Sequence, residues 1–217
     1  MTAGRGATSR VRSVARAGLW LLPVYGLLLT LSTLTHQPDP ATEFEEYARY
    51  VSTDVFLASH LVGSILGAGL GLAGIVSALY FLLSGPAAVS ALVGVALTAV
   101  ANVLLTAVFA AAAFAQPAIG RAFLAGDEGM RAFNDDVYGP PLLLTAGVGL
   151  LLFVAAAAVF GRAVARTSSR LRWSGIGYGA GLGVFAVAAL TFEVAQPVAA
   201  AVTTVSAVVI SLRLPDA

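Results

Sequence analysis

The chain has 217 residues, of which 59% are apolar and 11% charged, with no cysteine and a formal net charge of +1. Soluble domains carry about 45–50% apolar and about 25% charged residues, so this composition excludes an ordinary water-soluble protein. Without cysteine there are no disulfides, thiolate metal sites, Fe–S clusters or thiol nucleophiles, and the near-neutral total offers nucleic acid no electrostatic footprint.

A bilayer core about 30 Å thick is crossed by about 20 mostly apolar residues in a helix. Six runs meet that requirement, at about 18–35, 54–83, 86–115, 141–160, 174–194 and 197–213. The fold class expected is therefore an all-α integral membrane bundle of six transmembrane helices, with the membrane domain spanning 18–213. Residues 1–17 contain Arg5, Arg10, Arg12 and Arg16 and no acid, and read as a basic cytoplasmic tail. The following apolar run outlasts the 7–15 residues of a signal-peptide core, and no A-x-A cleavage site follows it, so it is expected to remain as the first span.

The loop after the first span has Thr42 and Glu45 at capping-box spacing and Phe44, Tyr47, Ala48 and Val51 at helical spacing. A short amphipathic helix is expected there. A second is expected to start near Asp127 in the loop at 116–139, where Phe123, Met130, Phe133 and Val137 punctuate acids and Arg131. Both loop helices are expected at the lipid interface. Residues 174–213 taken as one helix would run about 60 Å, twice the hydrocarbon thickness. Pro197 disfavours helix at Gln196, so the last two spans are read as a tight hairpin turning at Ala195 and Gln196. Residues 214–217 form a short tail.

Charge sets the expected orientation. With the N-terminus inside and six spans, nine of the twelve arginines are cytoplasmic and ten of the eleven acids lie at or near the outer face. That is the positive-inside pattern, with both termini cytoplasmic in a bacterial plasma membrane.

Two helices carry glycines at four-residue intervals: Gly63, Gly67 and Gly71 in span two, and Gly175, Gly179 and Gly183 in span five. Such rows allow close backbone approach, the main driver of helix association in lipid. Asn102, with Thr98 and Thr106 four residues either side, is read as a second packing determinant. Spans two and five occupy equivalent places in an inverted three-plus-three arrangement. A competing pattern, slightly preferred, is three hairpins whose outward helices end at His36-Gln37-Pro38, Ala115-Gln116-Pro117 and Ala195-Gln196-Pro197.

Ionisable groups within the spans are scarce, so those present are the candidates for chemistry. His60 and Glu193 lie near the outer ends of spans two and five, and with His36, Gln116 and Gln196 they make up a candidate outward-facing vestibule. His36, His60 and Glu193 together would be a donor set suited to a transition metal, and the two histidines alone could ligate haem, but no metal-binding motif frames them. No cofactor is therefore expected. Nucleophile-elbow, P-loop and dinucleotide motifs are absent, and no catalytic residue is assigned. The leading expectation is a non-enzymatic structural or accessory subunit, whose partners are the lipid bilayer and either a second copy or another membrane protein held by the glycine faces. The alternative is a small-solute transporter or channel using the vestibule. A further alternative is a metal- or haem-binding redox subunit.

Overall fold

The computed structural model describes residues 3–33, 37–191 and 194–217. Among these there are helices and turns but no strands. The elements are α1 (Ala3–Gly18), α2 (Leu21–Ser32), α3 (Phe44–Val51), α4 (Asp54–Ala58), a π-helical segment (Ser59–Leu66), α5 (Gly67–Leu82), α6 (Ala88–Leu124), α7 (Met130–Val137), α8 (Pro140–Ala165), α9 (Arg172–Thr191), α10 (Ala195–Arg213) and a final 3-10 turn (Leu214–Asp216). Five helical stretches are long and apolar enough to cross a membrane: Ser9–Ser32, Asp54–Leu82, Ala88–Leu124, Pro140–Ala165 and Ala195–Asp216.

The long helices close into a ring. In chain order α2, α5, α6, α8, α9 and α10 each pack against the next, and α10 packs back on α2. Glycine contacts fix the direction of each pair. Gly71 faces Tyr25 while Gly63 faces Ser32, so α5 runs antiparallel to α2. By the same reasoning α8 opposes α6 (Gly94 on Phe160, Gly149 on Leu105), and α10 opposes α9 (Gly177 on Ser206, Gly181 on Thr203). The chain ends therefore meet at one end of the ring, where Arg16 pairs with Asp216 at 3.4 Å and Arg12 donates to the Pro215 carbonyl at 2.8 Å.

The close approaches follow from missing side chains. A methyl group on Gly161 would lie 2.5 Å from the Gly175 carbonyl oxygen, and one on Gly179 would lie 2.7 Å from that of Ala157. Only glycine lets α8 and α9 touch backbone to backbone there. Both rows read as packing surfaces are thus engaged inside the chain, Gly63, Gly67 and Gly71 against α2, and Gly175 and Gly179 against α8; Gly183 has only ordinary contact with Val154.

Pro23 interrupts the first stretch. It has no N–H to give the Leu19 carbonyl, and the chain turns at Leu19 and Trp20 between α1 and α2. The Ser211 hydroxyl, from α10, donates to that carbonyl at 2.8 Å. The tail expected at 1–17 is helical from Ala3 and leads directly into this turn.

At the opposite end α6 outruns the ring. Its 37 residues rise about 55 Å, well beyond a bilayer core. Gln116 and Pro117, expected to end this helix, lie inside it, and it continues to Leu124. It stops instead where Gly126 adopts φ 101°, with Asp127 N–H donating to Ala122 O and Gly126 N–H to Phe123 O, the two bonds of a Schellman cap. Gln196 and Pro197 are likewise not a helix end: they sit in the first turn of α10, where a missing N–H leaves no bond unmade. Ala195, the other residue expected in the hairpin turn, is the first of α10. The third pair, Gln37 and Pro38, is in non-helical chain, so the pairs do not mark three equivalent helix ends.

The extension of α6 carries a cap built from α3 and α7. Phe44, Tyr47 and Val51 of α3 are buried with Phe56, Ala112 and Ile119. They pack on protein, whereas the sequence pattern placed them at lipid. Phe123 meets Phe44 edge to face at 4.8 Å, and the Arg131 guanidinium of α7 lies 4.7 Å over the Phe44 ring. The Tyr47 hydroxyl donates to Asn134 Oδ1 at 3.0 Å, joining α3 to α7 in a buried site. No capping box forms: Glu43 is the N-cap residue of α3, without a side-chain bond, and the Thr42 hydroxyl turns to Asp39. Asp127 precedes α7 and accepts from the Gly129 N–H, so the helix begins three residues later than expected, at Met130.

Candidate functional site

Inside the ring, in the half nearer the α3/α7 cap, is a cavity of about 480 Å³ to which all six ring helices and the π-helical segment contribute. Ligand pockets typically measure about 300–1,000 Å³ and combine apolar walls with a few placed polar groups. Leu105, Phe109, Leu150, Phe153 and Phe185 supply apolar wall here, and Ser59, His60, Ser64, Asn102 and Gln196 supply polar atoms. Among the described residues no Asp, Glu or Arg lines it.

The π-helical segment positions His60. A π turn holds one residue more than an α turn and often marks a functional position. Here it places two donors on one carbonyl: the Ser59 hydroxyl donates to Phe56 O at 2.8 Å, and His60 Nδ1 lies 3.0 Å from the same oxygen. A nitrogen facing a carbonyl must carry the proton, so when the ring is neutral Nε2 is left as its acceptor. The ring rests on Phe56, centroids 4.1 Å apart, which holds its orientation.

Several other polar groups of the lining also donate within the fold. Asn102 Nδ2 donates to the Ala68 carbonyl of α5 at 2.9 Å, the interhelical role expected of it. Gln196 Nε2 reaches the Phe185 carbonyl at 3.4 Å, and the Ser32 hydroxyl donates to Leu29 O at 2.8 Å. Free polar atoms of both kinds remain: His60 Nε2, the amide oxygens and hydroxyl lone pairs can accept, and the Tyr25 and Ser64 hydroxyls and the second N–H of each amide can donate. Such a lining suits a mostly apolar molecule bearing a hydrogen-bonding group.

Below the cavity the core tightens around Tyr25 and Tyr178, buried with Ile75, Leu182 and Phe160. A void of about 10 Å³ lined by Tyr25, Thr98, Asn102 and Tyr178 continues the polar floor, and the buried Tyr178 hydroxyl has no partner among the described residues. Neither tyrosine stands out in the sequence beyond being an aromatic with a polar handle inside an apolar run, a combination that asks for a partner when buried.

The candidate residues separate accordingly. His60 and Gln196 meet at the cavity with Asn102. Gln116 does not: it is buried in the α6 extension beside Tyr138, and its Oε1 has no partner among the described residues. Burial holds the Tyr138 phenol well above its ordinary pKa, with the Gln116 amide beside it pulling the other way. His36 and Glu193 lie outside the described residues, and with them the metal and haem sets. Among the described residues no three His, Cys, Asp or Glu come together.

Fold and cavity define a helical protein of membrane-spanning type with a ligand-sized space inside its ring. The chain matches no protein-family model, no curated protein and no solved structure.

Proposed function

We propose that the protein is a small-solute carrier of a bacterial plasma membrane, with six spans and both termini cytoplasmic, that receives a small amphipathic molecule bearing a hydrogen-bonding group from the outer side. The observation that carries this reading is the cavity, with His60, the Asn102 and Gln196 amides and a few hydroxyls set in a mainly apolar lining that has no charged side chain among the described residues. It lies at the end of the ring that the arginine distribution assigns to the outside. The accessory-subunit reading drew on glycine faces awaiting a partner; most of those glycines face other helices of the same chain, which leaves the carrier reading better supported.

Binding of phenol and indole to the purified protein, compared with toluene, tests the site. The donor-bearing probes are expected to bind several-fold more tightly than toluene, in line with a net hydrogen-bond contribution of about 0.5–1.5 kcal/mol. His60→Phe combined with Asn102→Leu should abolish that difference while toluene binding persists. Equal binding of all three probes to the parent protein would reject the site. Saturable uptake of a bound probe into proteoliposomes is expected as well, and binding without uptake would reject the carrier function.

A further inference from the structure

A second concave surface faces outward, where α8 and α9 meet. It is a groove of about 870 Å³ running from Arg162, Arg166 and Arg172 at the chain-terminal end of the ring to Thr191 and Ala195 at the cap end. Its walls are otherwise apolar, and it lies on the surface that faces lipid when the ring is embedded. The 20 residues of α9 rise about 30 Å, as long as the hydrocarbon core is thick, so the groove has the length to seat an acyl chain, with arginines at one rim. Trp173, 76% exposed beside them and with the Arg172 guanidinium 5.9 Å from its ring, is an aromatic of the kind that sits at headgroup depth.

The three guanidinium groups have no ion-pair partner among the described residues. The described acidic side chain at this end of the ring, Asp216, is already paired with Arg16. A second copy of this chain docked about a twofold axis would bring the same arginines to the same rim and no counter-charge. A phospholipid brings a phosphate to the rim and an acyl chain to the apolar wall. Topology alone requires positive charge near the span ends; it does not require three arginines from two helices on the lip of one groove, while Arg170 beside them is not part of it.

We propose that this groove binds one anionic phospholipid of the cytoplasmic leaflet, its phosphate held by Arg162, Arg166 and Arg172 and one acyl chain lying along α8 and α9. The site is separate from the interior cavity and independent of carrier activity; only its assignment to the cytoplasmic leaflet rests on the orientation proposed above.

The full chain is reconstituted in phosphatidylcholine vesicles containing a trace of acyl-spin-labelled phosphatidylglycerol or phosphatidylcholine, and the immobilised fraction of each probe is read. Phosphatidylglycerol is expected to be preferred in the parent, with affinity falling about fivefold per arginine removed. The triple variant Arg162→Gln, Arg166→Gln, Arg172→Gln should lose the preference, whereas Arg10→Gln, an exposed arginine at the same end but off the groove, should keep it. Ala180→Phe, which fills the exposed groove wall without entering the core, should lower the immobilised fraction of both probes. Preference retained by the triple variant, lost in Arg10→Gln, or abolished by inorganic phosphate would overturn the proposal. So would an Ala180→Phe protein with unchanged lipid immobilisation, or one whose oligomeric mass falls, since the groove would then be a protein interface.

Discussion

Tyr47 ties α3 to α7 through a buried bond to Asn134, 87 residues further along the chain. Removing its hydroxyl strands the Asn134 oxygen, and an unsatisfied buried acceptor costs about 1–3 kcal/mol. Tyr47→Phe is therefore expected to loosen α3 and α7 selectively, seen as faster amide exchange in 44–51 and 130–137 than in the ring. The same bond makes the cap sensitive to alkali. Burial, and secondarily Tyr138 nearby, raises the Tyr47 pKa above its ordinary value of 10.0. Below pH 10 the phenol is protonated whether the cap is folded or open, and its contribution is fully present. Above that, the open form loses its proton first, so stability falls as pH rises. Exchange in α3 of the parent should accelerate above pH 10, with a smaller acceleration in Tyr47→Phe; equal acceleration in both would remove Tyr47 as the cause.

Between elements, glycine decides which helices touch. Gly161, Gly175 and Gly179 abut backbone atoms that have no rotamer in which to retreat. Gly179→Ala should therefore destabilise the α8/α9 contact, with a cost in the overpacking range of about 1–3 kcal/mol. Gly69 shares a helix with the other row but has open space around it. There Gly69→Ala should be neutral or stabilising by up to about 1 kcal/mol, because alanine is the better helix former. Thermal unfolding of the two purified variants checks the contrast, and equal shifts would show that the close contact is not what matters. The rows were legible in the sequence as packing surfaces, since a four-residue interval puts small residues on one helix face. Which surface each row met was not legible: a glycine row accepts any backbone, from its own chain or another.

For the whole molecule, the antiparallel ring puts 83–87, 166–171 and both chain ends together, with 39–53 and 125–139 at the other end. Topology can be read by cysteine labelling, since the native chain has none. Exposed positions give a clean readout. Cysteines replacing Glu46 and Glu128 should react with an impermeant reagent from outside, and those replacing Ser169 and Leu212 only after the membrane is opened. Ser211 is unsuitable because it is buried on Leu19. Labelling of Leu212→Cys from outside would overturn the cytoplasmic C-terminus and an even number of spans.

The amino-acid sequence by itself determined that this chain belongs in a membrane and roughly where its helices run, because an apolar run of sufficient length has few other stable settings. It also marked His60, Asn102 and Gln196 as polar exceptions worth explaining. It misled at Gln116-Pro117 and Gln196-Pro197, where local rules for proline describe a tendency. One proline lies within a helix that continues past it, and the other falls in a first turn whose N–H groups need no helical partner. Only the tertiary structure decided that these three polar residues share one cavity while Gln116 does not, and that the arginines at two helix ends border one groove. Both are properties of surfaces assembled from several helices, and the distances across them depend on how closely the glycine faces let those helices approach.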